Sequence, residues 1–86
     1  MTPDDLLRRY PRETLRWLRR RLGMERTALA RYLQINSAAV AAWEARGGMI
    51  APLHRARLAA LLAPHLATPE GEALARSLGR GEEPQG

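Results

Sequence analysis

Cysteine, lysine and phenylalanine are all missing from this chain. Without cysteine there is no disulfide to staple the fold and no thiolate to hold a metal. Without phenylalanine, and with few β-branched residues, the apolar material is mostly leucine and alanine. That composition favours helices over strands on propensity alone. No apolar run approaches the length needed to span a bilayer. Asp4 and Asp5 also stand where an export signal carries basic residues, so a cytoplasmic protein with no membrane partner is expected. Eighty-six residues suffice for one domain with one core, and not for two.

The constellations that enzymes need are equally scarce. The two histidines, His54 and His65, stand about three helical turns apart with no acid at i+4. Asp4 and Asp5 are adjacent, point different ways on a helix and suit helix capping. The RGGM run at residues 46–49 is a helix-terminating turn rather than a phosphate cradle. The GRG at 79–81 is too short for an RNA-binding repeat. A non-enzymatic protein with no metal and no cofactor is expected.

What is abundant is arginine. Formal net charge is +5, and every basic side chain other than histidine is arginine. Residues 1–66 hold twelve arginines against five acids, whereas residues 67–86 hold two against four. The basic field therefore belongs to the first part of the chain. Arginine's planar fork suits phosphate, although its exclusive use fits a codon-biased or heat-adapted genome equally well.

Local signals divide the chain into five or six short helices. Thr2 caps a helix over residues 3–10, with Pro3 at its first position and Pro11 as its stop. The next spans Pro11 to Leu22, with Leu15, Leu18 and Leu22 on one side, and Gly23 is its C-terminal cap. A third runs from Arg26 to Leu33 and buries Leu29, Ala30 and Leu33. Asn36 caps a fourth from Ser37 to about Ala45, ended by Gly47-Gly48. Pro52 opens a fifth with Leu53, Ala56, Leu58, Leu61 and Leu62 as core candidates, and Pro64 is its expected stop. Thr68 caps a last helix over 69–78. Residues 79–86 read as a disordered tail, leaving one all-α domain at 1–78. Trp17 is placed to cover the N-terminal helix through Leu6, Leu7 or Tyr10, or to form a partner surface. Leu74 and Leu78 raise the same choice, with a homodimer as one outcome.

Ala30, Ile35, Val40 and Trp43 carry the logic of two helices meeting at a tight turn. A small residue suits the crossing, an apolar side chain plugs the turn, and two more anchor the second helix. Residues 18–46, LRRRLGMERTALARYLQINSAAVAAWEAR, resemble the helix-turn-helix of phage-repressor-like regulators, the family of the lambda and 434 repressors and the Cro proteins. The resemblance rests on Leu22-Gly23-Met24, Ala30, Ile35, Val40 and Trp43-Glu44, and the flanking helices from about 12 to 66 fit its five-helix domain. It implies a lambda-repressor-like fold, a double-stranded DNA partner and regulation of transcription. Arg26 replaces the glutamine with which the family often opens the first motif helix, Gln34 replaces a turn glycine, and Gly47 arrives late.

By the same resemblance, Arg16, Arg19, Arg20, Arg26 and Arg31 fall where phosphates are contacted. Arg12 is an alternative, structural partner for Glu44. The base-facing positions fall on Ser37, Ala38, Ala39 and Ala42, with Gln34, Asn36 and Arg46 at the margins. Bidentate reading of a purine needs Arg, Lys, Asn or Gln, so the alanines offer only methyl contacts. Three roles stay open for this helix: modest readout aided by its margins, duplex binding driven by phosphates, or packing against a protein partner.

Overall fold

Five of the six helices begin where the chain supplies a side-chain cap or a proline. A computed structural model describes residues 1–81 and shows α1 (Pro3–Arg9), α2 (Pro11–Leu22), α3 (Arg26–Leu33), α4 (Ser37–Arg46), α5 (Pro52–Leu66) and α6 (Pro69–Gly79). No strand occurs among these residues. Thr2 and Asp5 form a reciprocal capping box: the Thr2 hydroxyl accepts from the Asp5 amide at 3.0 Å, and the Asp5 carboxylate accepts from the Thr2 amide at 3.2 Å. Hydrogen bonding from Thr2, its backbone amide first and its side chain second, holds the Asp5 carboxyl below its ordinary range. Its contribution is present above that range and is lost as pH falls through the lowered value. Pro11, Pro52 and Pro69 open α2, α5 and α6, and Gly23 ends α2 in the left-handed region.

The core is leucine. Leu7, Leu15, Leu18, Leu29, Leu33, Val40, Ile50, Leu58 and Leu62 form one buried cluster with Ala30. A second cluster joins Leu6 of α1 to Leu74 and Leu78 of α6. The adjacent Leu6 and Leu7 thus face different clusters, which wedges the seven-residue α1 between α6 and the main core. Trp17 packs against both clusters, which contain Leu7 and Leu6 respectively. Leu74 and Leu78, weighed as a homodimer surface, are each only 3% exposed within the chain itself. The buried Thr14 hydroxyl donates to the Leu6 carbonyl at 3.3 Å and ties α2 to α1. The whole has a radius of gyration of 11.7 Å, close to the roughly 12 Å of a compact chain this long.

Two expectations for α5 need correction. Pro64 does not stop the helix, which continues to Leu66. Pro64 removes one backbone bond and crowds the Ala60 carbonyl, and Leu66 beyond it is held by packing on both clusters. The Thr68 hydroxyl then donates to the His65 carbonyl at 2.6 Å, satisfying the helix end. Nor are Leu53 and Ala56 core: both are exposed, Leu53 by 61%. They precede Leu58 by five and two residues, which turns them roughly 140° and 160° away from it on a helix. At the tail, Gly79 is helical and Arg80–Gly81 are described, while 82–86, also assigned to the tail, lie outside the described residues.

The start of α6 nests on the end of α5. A side chain at buried Gly71 would collide with the His65 carbonyl oxygen and Leu66 Cα, and would sit 2.8 Å from the Leu66 carbonyl carbon. These are backbone atoms that cannot swing aside. Gly71→Ala should therefore destabilise by roughly 1–3 kcal/mol through overpacking, lowering Tm by about 4–8 °C for each kcal/mol. Gly79→Ala meets only the Met1 methyl, at 3.5 Å. It should be neutral or mildly stabilising. Thermal unfolding of the two variants checks the contrast.

Candidate nucleic-acid interface

The turn between α3 and α4 is built from backbone chemistry. Gln34 ends α3 in the left-handed region, with φ 59° and ψ 45°. It is the sole non-glycine residue with positive φ among the described residues, and it stands where a glycine would be easiest. The Ile35 amide donates back to the Ala30 carbonyl at 2.9 Å. Asn36 Oδ1 then accepts from the Ala38 amide at 2.8 Å and starts α4. Ala30 and Val40 are buried at the crossing. Ile35 and Trp43 are only partly buried against the same cluster, so the expected burial of all four holds for two. The large indole lies at the core's edge, its ring centroid 6.3 Å from that of His54.

The side chain of Glu44 has no solvent exposure at all. It follows Val40 by four residues, so it lies on the buried stripe of α4. Arg19 of α2 grips it with both arms: Nε reaches Oε2 at 2.5 Å and Nη2 reaches Oε1 at 2.7 Å. The remaining Arg19 nitrogen, Nη1, donates to the Met24 carbonyl at 3.1 Å. Hydrogen bonding to Glu44 raises the Arg19 pKa further above its ordinary value. Arg26 Nε stands 3.5 Å from Glu44 Oε1, and that side chain is half-exposed. Glu44 is therefore paired with Arg19 and not with Arg12, whose stem lies instead beside Gly47.

This divides the arginines grouped by sequence. Arg19 is committed to the interior. Arg26 shares the buried carboxylate but keeps an outward half. Arg16 is partly buried and donates to the Arg12 carbonyl at 3.3 Å. Arg20 and Arg31 are exposed, with no ion-pair partner among the described residues. On α4, Ala38, Ala45 and Arg46 are exposed, and Ala39 and Ala42 are half-buried. The helical repeat puts Ala38, Ala42 and Ala45 on one face. At its head, Gln34 and Asn36 are exposed and Ser37 is half-buried.

A second basic region lies beyond the C-terminal end of α4. Arg8, Arg9, Arg12, Arg46 and Arg55 converge on an open groove of about 600 Å³ between the α1–α2 junction and the α4–α5 connection. Its two walls lie more than thirty residues apart in sequence, so no local pattern announces it. Elsewhere, Arg21 donates to His65 Nδ1 at 3.3 Å, approaches Glu70 at 3.8 Å and sits 5.7 Å over the Trp17 ring. His65 is thereby an acceptor between helices. His54 Nδ1 is buried without a hydrogen-bond partner. No group of three or more His, Asp or Glu residues suited to a metal ion is present among the described residues. No helix there is long and apolar enough to cross a membrane. No protein-family model matches the chain, and neither the curated proteins nor the solved structures contain a significant match.

Removing one partner of a buried ion pair leaves the other charge uncompensated. Arg19→Ala should cost about 3 kcal/mol. Arg26→Ala, at a half-exposed and longer contact, should cost less than about 1 kcal/mol. Urea unfolding distinguishes them. Equal losses would mean that both arginines hold the carboxylate alike.

Proposed function

We propose that the protein binds duplex DNA, without catalysis, through a helix-turn-helix made by α3 and α4, and acts as a small regulator of transcription. The observation that carries this reading is the outer face of α4. Ala38 and Ala45 stay exposed there, and no other described element covers them. Arg20, Arg26 and Arg31 remain open to solvent on the two helices packed against α4. The family resemblance of residues 18–46 supports the same reading, as does the left-handed turn at Gln34.

A face of methyl groups lets the helix approach a groove closely but gives it few words to read with. Ala38, Ala39 and Ala42 can touch thymine methyls and cannot form bidentate bonds to purines. Asn36 spends its oxygen on the helix cap, leaving its amide hydrogens. Base preference then rests on Gln34, Asn36, Ser37 and Arg46, together with groove shape. Affinity comes chiefly from phosphates, met by Arg20 and Arg31, by the outward half of Arg26 and by Arg16. An interaction module is the second reading. The observation that favours it is apolar exposure just beyond α4, where Met49 is 83% and Leu53 61% exposed. A protein partner or a second copy of the chain would cover them.

Binding to random duplex should fall steeply with salt, with a log–log slope reduced by about 0.9 for each phosphate contact removed. Arg31→Ala should weaken binding to all sequences alike. The ratio of specific to non-specific affinity should fall below the roughly 10³–10⁷ of selective DNA-binding proteins. Titration at two salt concentrations, followed by selection from a randomised pool, measures both. A folded protein that fails to bind duplex at low salt would transfer the assignment to the interaction module.

A further inference from the structure

The arginine-lined groove has charge arithmetic of its own. Two of its five arginines are neutralised by acids of α1: Arg8 pairs with Asp5 at 2.8 Å and Arg55 with Asp4 at 2.6 Å. Arg9, Arg12 and Arg46 have no ion-pair partner among the described residues, and Glu13 is the one acid in the lining. Three free guanidiniums against one carboxylate leave an excess of two positive charges. That excess matches a phosphate monoester, which carries about −1.5 to −2 at neutral pH.

Shape points the same way. The volume of about 600 Å³ lies within the roughly 300–1,000 Å³ of small-molecule sites. Buried Pro11 and Ile50 close it behind, and Tyr10 and the exposed Met49 offer apolar surface beside the charges. The Arg12 stem is aligned against Gly47, where an added Cβ would lie 3.5 Å from Arg12 Cγ and Cδ. With φ 74°, a backbone conformation that favours glycine, Gly47 turns the chain out of α4 where Arg46 and Arg12 share one lining. The first turn of α2 borders the groove with no side-chain cap on its amides, which adds to a positive field already set by the guanidiniums. A concave site of this size takes a compact ligand, whereas a duplex strand would meet only its rim.

The geometry points to a binding site in this groove for a small organic phosphate of nucleotide size, its phosphate held by Arg9, Arg12 and Arg46. The site stands independently of DNA binding by α4, although Arg46 belongs to both surfaces. Guanidinium forks give such a phosphate paired hydrogen bonds as well as charge. The carboxylate of Glu13 opposes the ligand, so its removal should strengthen binding.

Titrating the full-length protein with inorganic phosphate, pyrophosphate and adenosine monophosphate at constant ionic strength tests this, with backbone amide shifts as the readout. One saturable site is expected, its shifts concentrated at residues 9–13 and 46–49. The nucleotide should bind more tightly than inorganic phosphate. Arg12→Ala and Arg46→Ala should each weaken binding about tenfold, Glu13→Gln should tighten it several-fold, and Arg76→Ala, on α6 and outside the groove, should leave it unchanged. Absence of saturation would overturn the proposal, as would equal weakening by Arg76→Ala. A response of these residues to duplex DNA alone would also overturn it and assign the groove to a DNA footprint.

Discussion

The buried carboxylate of Glu44 is the constraint on which the arrangement of α2, α3 and α4 depends. Taking an ion out of water costs several kcal/mol even after relaxation, and only close, well-directed partners offset that. Arg19 provides both bonds from α2, and Arg26 adds a third donor from the first residue of α3. Arg19 also reaches the Met24 carbonyl, in the short link between α2 and α3. One carboxylate thus fixes three helices in one register. Its directed bonds act with buried Val40 and the packing of Trp43 to set the rotation of α4. Rotation matters because it decides which residues of α4 face outward. With Val40 and Glu44 inward, the alanines are what remains for the surface.

Small residues do the complementary task of letting backbones come close. Ala30 is buried where α3 meets α4, and Gly71 lets α6 settle on the carbonyl end of α5. The second cluster exists because of that last contact. It gives Leu6 a surface, and Leu6 with Leu7 lets a helix of seven residues be stable although it is too short to persist alone. The extra helices at the two ends therefore support each other. They also bring Arg8 and Arg9 beside the α4–α5 connection.

Local chemistry was legible in the sequence, and tertiary partnership was not. Thr2, Asn36 and Thr68 act as caps because a side-chain oxygen two or three residues from a free amide leaves little choice. The left-handed end at Gly23 follows from helix termination in the same way, whereas Gln34 takes that conformation with no glycine to announce it. Pro64 misled because a stop signal near a helix end is weak against the packing of Leu66. Leu53 misled because a leucine in an apolar stretch was counted without its angle to Leu58. Arg12 is the partner the sequence suggests for Glu44, and finding Arg19 and Arg26 there instead requires the offset of crossing helices. The groove was illegible altogether, since it joins segments that meet only in the folded chain.

The fourteen basic residues show why net charge is a poor guide to a nucleic-acid footprint. Arg19 neutralises a buried acid, Arg55 and Arg8 answer Asp4 and Asp5, and Arg21 braces Trp17, His65 and Glu70. Those four contribute to the fold, and their charge is largely answered before any ligand arrives. Of the rest, Arg16, Arg20, Arg26 and Arg31 lie on α2 and α3, Arg9, Arg12 and Arg46 line the groove, and Arg57, Arg76 and Arg80 lie on or just after α5 and α6. A footprint built on the first set would be read through phosphates. Its sequence preference would be limited by alanines that stabilise α4 as a helix while saying little to a base. Under the proposed DNA-binding role, the same alanines that make α4 a good helix would make it a poor reader, and specificity would have to come from the ends of the helix.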